Sequence, residues 1–178
     1  PTDGVGTGLT GTYTIGGVSP DFSDFSNAAN VLNIGGVVGP VTFNVRDGVY
    51  EEQIWLREFP GSDSLRQVLF QSESGDSTAV TLRFALGSSN NYLVLHDGTQ
   101  WVRWRQLGFE SASSLYQRLM VFSNGAGHID LEQNFLRGPA TPSTTTLRAL
   151  VYMPNSTLIE HLRFRNNRFV GGSHGIYL

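Results

Sequence analysis

The chain has 178 residues, a single domain's length, and is long enough to bury a real core. Its 12 basic residues are all arginine, and against 15 acidic residues they leave a net charge of −3, which argues against nucleic acid as a partner. Cysteine is absent, which excludes a disulfide framework and thiol chemistry, and no apolar run is long enough to span a bilayer.

No charged-then-apolar leader follows Pro1. Residues 1–17 are rich in Gly and Thr, with one alternating stretch, Gly11-TYTI, that reads as an edge strand. Ser19-Pro20-Asp21 then predicts a helix over about residues 20–33, with Ser19 as N-cap and Pro20 at the first helical position. Phe22, Phe25, Ala29 and Leu32 recur at helical spacing, and Gly35-Gly36 ends the element. A short amphipathic helix there suits a cap, because an open end of a repeat array exposes apolar side chains and unpaired strand edges.

From Val41 onward strands dominate, with Val41, Phe43 and Val45 on one face and Asp47-Gly48 turning the chain towards Gln53-IWL. The second half repeats one phrase: an apolar strand, a turn and a second strand. It reads Tyr92-LVLHDGTQWVRWRQLGF, then Leu119-MVFSNGAGHIDLEQNF, then Ala149-LVYMPNSTLIEHLRFRNNRF. The turns are Asp97-Gly98, Asn124-Gly125 and Asn155-Ser156, and Val41-TFNVRDG and Val68-LFQSESG read as weaker copies. The spacing of roughly 25 to 30 residues is that of solenoid coils. The polar stretch from Gly138 to Thr146 reads as an insertion that continues no strand.

Aligning the copies puts Val102 over Ile129 and either Ile159 or Leu162, and Trp104 over Leu131 and Phe164. The outward residues then form a ladder of alternating sign: Arg103 and Arg105, Asp130 and Glu132, Arg163 and Arg165. Opposite charges on neighbouring strands each contribute on the order of 0.2–1 kcal/mol. Gln106, Asn134 and Asn167 recur just after the second strand, where stacked amides can hold a corner between two sheets. These ladders need adjacent coils in register. The expected fold is therefore all-β, a right-handed parallel β-helix with an N-terminal cap (residues 1–40) and coils over 41–178 that continue past the last residue. A leucine-rich repeat is the architectural rival, since Ile159-x-x-Leu162-x-Phe164-x-x-Asn167-x-Phe169 fits its consensus.

The stretch Gly11-TYTIGG…SPDFSDFSNAANVL…GPVTFNVRDGVYEEQIWL…VLFQSESGDSTAVTL resembles the N-terminal part of right-handed parallel β-helix domains in bacterial secreted and cell-surface, adhesin-like proteins. HIDLEQNFLRG and LRFRNNRFVGGSHGIYL are similar to generic coils of that fold. The resemblance implies a fold and an extracellular or cell-surface location, and it leaves activity open, because the fold hosts lyases, hydrolases, esterases and adhesins alike. The helix followed by VTFNVRDGVYEEQI is also similar to the start of pectin methylesterases, whose GYQD, DFIFG and LGRPW motifs do not occur here.

Asp76, Asp97 and Asp130 are candidate acids. Asp97 and Asp47 sit in Asp-Gly turns, where their side chains bond local backbone, and Asp130 has arginine neighbours. Gly171-GSHGIYL has the Gly-His-Gly element of polygalacturonases without the paired aspartates. The four histidines lack metal-ligand spacing, so neither a metal nor a cofactor is expected, and no serine sits in a nucleophile-elbow context. The candidate ligand-binding residues are Trp101 with Arg103 and Arg105, where an outward indole beside guanidinium groups stacks on a sugar and pairs its carboxylates. Trp55 and Tyr50 form a second candidate. The competing reading packs Trp101 on His128 and pairs the arginines with Asp130 and Glu132.

The functional expectation is a non-catalytic structural or adhesion module with extracellular polysaccharide or another surface protein as partner. The alternatives are the N-terminal part of a polysaccharide-active enzyme whose catalytic coils follow residue 178, and a subunit that stacks end to end into a fibre.

Overall fold

The computed structural model describes residues 8–154 and 158–178; the stretch before Gly8 and the expected turn at Asn155-Ser156 lie outside them. The elements run β1 (Leu9–Ile15), α1 (Phe25–Gly35), β2 (Val37–Val45), β3 (Gly48–Glu51), β4 (Ile54–Arg57), β5 (Val68–Ser72), β6 (Val80–Phe84) and β7 (Val94–Asp97). They continue with β8 (Gln100–Arg105), β9 (Gly108–Ser111), β10 (Met120–Ser123), β11 (Gly127–Glu132), β12 (Phe135–Ala140), a 3₁₀ turn (Thr146–Arg148), β13 (Ala149–Tyr152), β14 (Leu162–Arg165), β15 (Arg168–Gly172) and β16 (His174–Tyr177).

Among the described residues these strands form three parallel sheets. Sheet A has the order β1-β2-β5-β8-β11-β14, sheet B β3-β6-β9-β12-β15 and sheet C β4-β7-β10-β13-β16. Each coil contributes one strand to each sheet, giving a parallel β-solenoid of five turns with one helix at its start. The leucine-rich alternative fails because Met120–Ser123 and Ala149–Tyr152 are paired strands, where that fold places helices.

Stacking in register builds the core. Phe43 pairs with Phe70 and Phe70 with Trp104, their rings stacked at 4.7 and 4.4 Å between centroids. The column continues to Leu131 and Phe164, beside a second one of Val102, Ile129 and Leu162. Sheet C adds Leu56, His96 and Phe122. These rows account for most of the fully buried aromatic side chains.

Three local expectations are corrected. The helix starts at Phe25, with Asp24 as its N-cap accepting from Asn27 N–H at 2.8 Å. Ser19-Pro20-Asp21 instead form a loop held to β1, because Phe22 bridges Ile15 and the Asp21 carboxylate accepts Thr14 N–H at 2.8 Å. The weaker copies are offset: Val68 and Phe70 pair with Val102 and Trp104, while Ile54–Arg57 matches the first strand of the later phrase. The Gly138–Thr146 stretch begins inside β12, which runs to Ala140.

Helix α1 covers the open start of sheet C. The Asn33 amide donates from Nδ2 to Trp55 O at 2.8 Å and accepts Arg57 N–H at 2.9 Å, so one side chain takes the place of a neighbouring strand. Glu52 receives the N-terminal N–H groups of Phe25 and Ser26 at 3.0 and 2.8 Å, which places a carboxylate at the positive end of the helix dipole. Gly36 closes the helix at φ 64°, and a Cβ there would lie 2.0 Å from Pro60 O.

The amide corner joins sheets A and B. Asn134 donates to Trp104 O at 2.9 Å and accepts Leu107 N–H at 3.0 Å. Asn167 repeats the pattern one coil on, donating to Leu131 O at 2.8 Å and accepting Asn134 N–H at 2.9 Å. Gln106 belongs to the adjacent column of Gln106, Gln133 and Asn166, all at φ 53–56°. Asn134→Ala leaves Leu107 N–H without its acceptor at a buried position and removes one of the donors to Trp104 O. Stability should fall by about 1–3 kcal/mol in urea denaturation, with the midpoint moving and the slope unchanged.

Candidate functional site

The chain enters sheet A through a corner residue in the left-handed region in three successive coils: Trp101 (φ 61°), His128 (φ 53°) and His161 (φ 55°). The same conformation recurs at the Gln106, Gln133 and Asn166 corner, so it belongs to the way each coil turns, and Asn and His adopt it more readily than most residues. Parallel register places the three rings over one another. Trp101 and His128 stack at 3.8 Å with 20° between planes, and His128 and His161 follow at 4.7 Å and 33°.

Beside this stack runs an open groove of about 240 Å³, lined by Gln67, Trp101, Arg103, His128, His161 and Arg163. Asp130, only 5% exposed, lies among these residues and accepts from Arg163 Nε at 2.7 Å and Nη2 at 3.2 Å. Arg165 Nη2 reaches the same carboxylate at 3.4 Å and Arg103 Nε at 3.6 Å. Glu132 takes Arg103 at 3.4 Å and Arg165 at 3.6 Å. Arg105 is in register with Glu132, yet its guanidinium bonds Gln71 on β5. Three arginines thus face two carboxylates, and the Arg163 side chain remains 64% exposed. Of the charged residues lining the groove itself, Arg103 and Arg163 face Asp130, and Glu160 adds a carboxylate at its edge beside His128 and His161.

The second candidate pair is not brought together. Trp55 stands on β4, 43% exposed, with Arg57 4.2 Å over its ring and its indole N–H donated to Asp97 at 3.1 Å. It borders a separate cavity of about 300 Å³ against α1. Tyr50 lies on β3, edge-on to Phe25, with its hydroxyl donated to Arg46 O at 2.8 Å; burial raises its pKa. Tyr50 is part of the cap's packing.

The candidate acids also have partners. Asp76 accepts Thr78 N–H at 2.8 Å, which holds its pKa below the ordinary carboxylate value. Asp97 accepts from Trp55 and from the Asn124 amide on the next coil. Asp47 accepts from Ser74 at 2.6 Å.

Comparison with known proteins finds a fold-level likeness. No family model matches the sequence. No curated protein matches it either. Two crystal structures of the pectin methylesterase from Aspergillus niger, in deglycosylated and penultimately deglycosylated forms, are similar to this chain with a TM-score of 0.49 and 11% identity. The alignment covers 92% of this chain and 87% of that one. A likeness at that level gives no residue here a role. No helix among the described residues is long and apolar enough to cross a membrane.

Two features are only weakly written in the sequence, one in the interior and one at the edge of the groove. His96 sits inside the solenoid, fully buried, with Nε2 accepting Trp104 Nε1–H at 3.1 Å. His128, Glu160 and His161 converge with their donor atoms all within 4.8 Å of one another. Ligand spacing along one strand cannot reveal a cluster made by stacking coils. The signal was the choice of Leu162 over Ile159 as partner of Ile129, which sets His161 over His128.

Proposed function

We propose that the chain is a non-catalytic β-solenoid module of a secreted or surface protein, and that it binds acidic polysaccharide in the groove on sheet A. The observation that carries this reading is the state of Asp130. The buried carboxylate of the groove is held by three guanidinium groups, so the side it turns to solvent is arginine. Guanidinium groups pair with carboxylates in a two-pronged geometry, and the Trp101 indole, with one face stacked on His128, lines the groove beside them. A rigid rod binds a polymer by several such weak contacts without making or breaking a bond.

Titration calorimetry with a polyuronate and a neutral polysaccharide of similar length tests this. The polyuronate should bind, the neutral polymer should bind far more weakly, and added salt should weaken the polyuronate complex. Trp101→Asn, chosen because Asn tolerates the left-handed backbone, and Arg163→Ala should each reduce affinity by about tenfold, close to 1.4 kcal/mol. Equal binding of both polymers, or unchanged affinity in both variants, contradicts the proposal.

A further inference from the structure

We propose that His128, Glu160 and His161 bind one divalent transition cation, Zn²⁺ by preference, at the edge of the groove. The backbone holds the ligands together first. His128 N–H donates to Glu160 O at 2.7 Å, and Ile129 N–H to His161 O at 3.1 Å, so the Glu160-His161 pair is clamped beside Gly127-His128. Gly127 permits this approach, since a Cβ there would meet Glu160 O at 3.0 Å.

The tautomer is set next. Gln100 donates from Nε2 to Gly125 O at 2.6 Å, which fixes its Oε1 as the acceptor facing His128 Nδ1 at 3.1 Å. His128 therefore carries its proton on Nδ1 and leaves Nε2 bare. A second-layer amide that orients an imidazole in this way is the usual support of a metal-binding histidine.

Two imidazole nitrogens and one carboxylate oxygen form a three-ligand set with a position left for water. That set suits zinc, whereas calcium and magnesium prefer all-oxygen shells. Tetrahedral bonds of about 2.0–2.1 Å need donor atoms about 3.3 Å apart. The donors lie within 4.8 Å. For both imidazoles to point at one ion, the exposed His161 ring must swing out of its stack on His128, where the planes are 33° apart, while the exposed Glu160 carboxylate closes from the side. The three residues come from two neighbouring coils, so the cation would also tie those coils together. The site does not depend on glycan binding, and the two readings fail separately.

The test is calorimetric titration of ZnCl₂ into tag-free, chelator-stripped full chain near pH 7.5, with CaCl₂ as control. One saturable Zn²⁺ site is expected, with no comparable signal from Ca²⁺. His161→Asn, on an exposed side chain and with backbone that Asn tolerates, should weaken binding by at least about tenfold, and Gln100→Leu by about 10–100-fold. Glu160→Gln serves as a second variant on an exposed position, with far-UV circular dichroism confirming the fold of each. Absence of saturable Zn²⁺ binding by the wild type overturns the proposal. Affinity unchanged in both His161→Asn and Glu160→Gln overturns it equally.

Discussion

Replacing Trp104 with alanine is expected to destabilise the solenoid by about 3–5 kcal/mol, the range for truncating a fully buried large aromatic side chain. Trp104 stacks on Phe70 at 4.4 Å, meets Phe109 edge-on at 5.7 Å and lies in register with Leu131. Removing it opens a void in the middle of a continuous row, and neighbours held by parallel strand pairing have little room to collapse into it. It also leaves His96 Nε2 without its donor. For a chain of this size the loss corresponds to a fall in melting temperature on the order of 10 °C. Trp104→Phe keeps the stack and loses the indole N–H, so its cost should be clearly smaller. Thermal unfolding of the two variants checks the ordering, and equal losses would show that the hydrogen bond, and not the stack, dominates.

The second large effect is acid sensitivity below neutral pH. Burial pushes the His96 pKa down from 6.5 to about 3, so the ring is neutral in the folded chain across the ordinary range. Its Nδ1 has no partner, which leaves nothing to stabilise a charged ring. The unfolded chain takes up a proton near pH 6.5 and the folded chain does not. The associated stability is therefore complete above pH 6.5 and is lost as the pH falls from there towards 3, at roughly 1 kcal/mol or more per pH unit. Between pH 6.5 and 4.5 the loss should be on the order of 2 kcal/mol. Carboxylates with lowered pKa, such as Asp21 and Asp63, lose their contributions only at lower pH, which leaves this window to histidine. His96→Phe, which continues the ring column with Phe122, should flatten the stability profile in the window. An unchanged slope in that variant would show that His96 is not its source.

The sequence reads best where the coils are short, from β7 onward. From Val94 onward the sheet C strands begin at Val94, Met120, Ala149 and His174, and simple alignment recovers Val102 over Ile129 and Trp104 over Leu131. The outward charges follow from the same register. Ile54 and Val94 are 40 residues apart, well beyond the later spacing, and this hides Ile54–Arg57 as the first strand of the phrase and leaves Val41 and Val68 as the visible copies. Ser19-Pro20-Asp21 is a good local cap in the sequence, and in the fold it loses to the β1 contacts made by Asp21 and Phe22. The inward turn of His96 was legible only through alternation with Val94, and histidine gives a weak apolar signal. The ring stack at the head of sheet A was visible only in part: Trp101 beside His128 could be read from the alignment, but Glu160 and His161 join them only through coil pairing.

The most direct test of a solenoid that binds and does not react is to incubate it with a partly methyl-esterified polyuronate. Released methanol, new reducing ends and the ultraviolet absorbance of unsaturated products are followed together. The three groove arginines held by Asp130 and Glu132 predict a bound polymer recovered with mass and esterification unchanged. Methanol, shortened chains or unsaturated ends above the level of a protein-free control would contradict the non-catalytic reading.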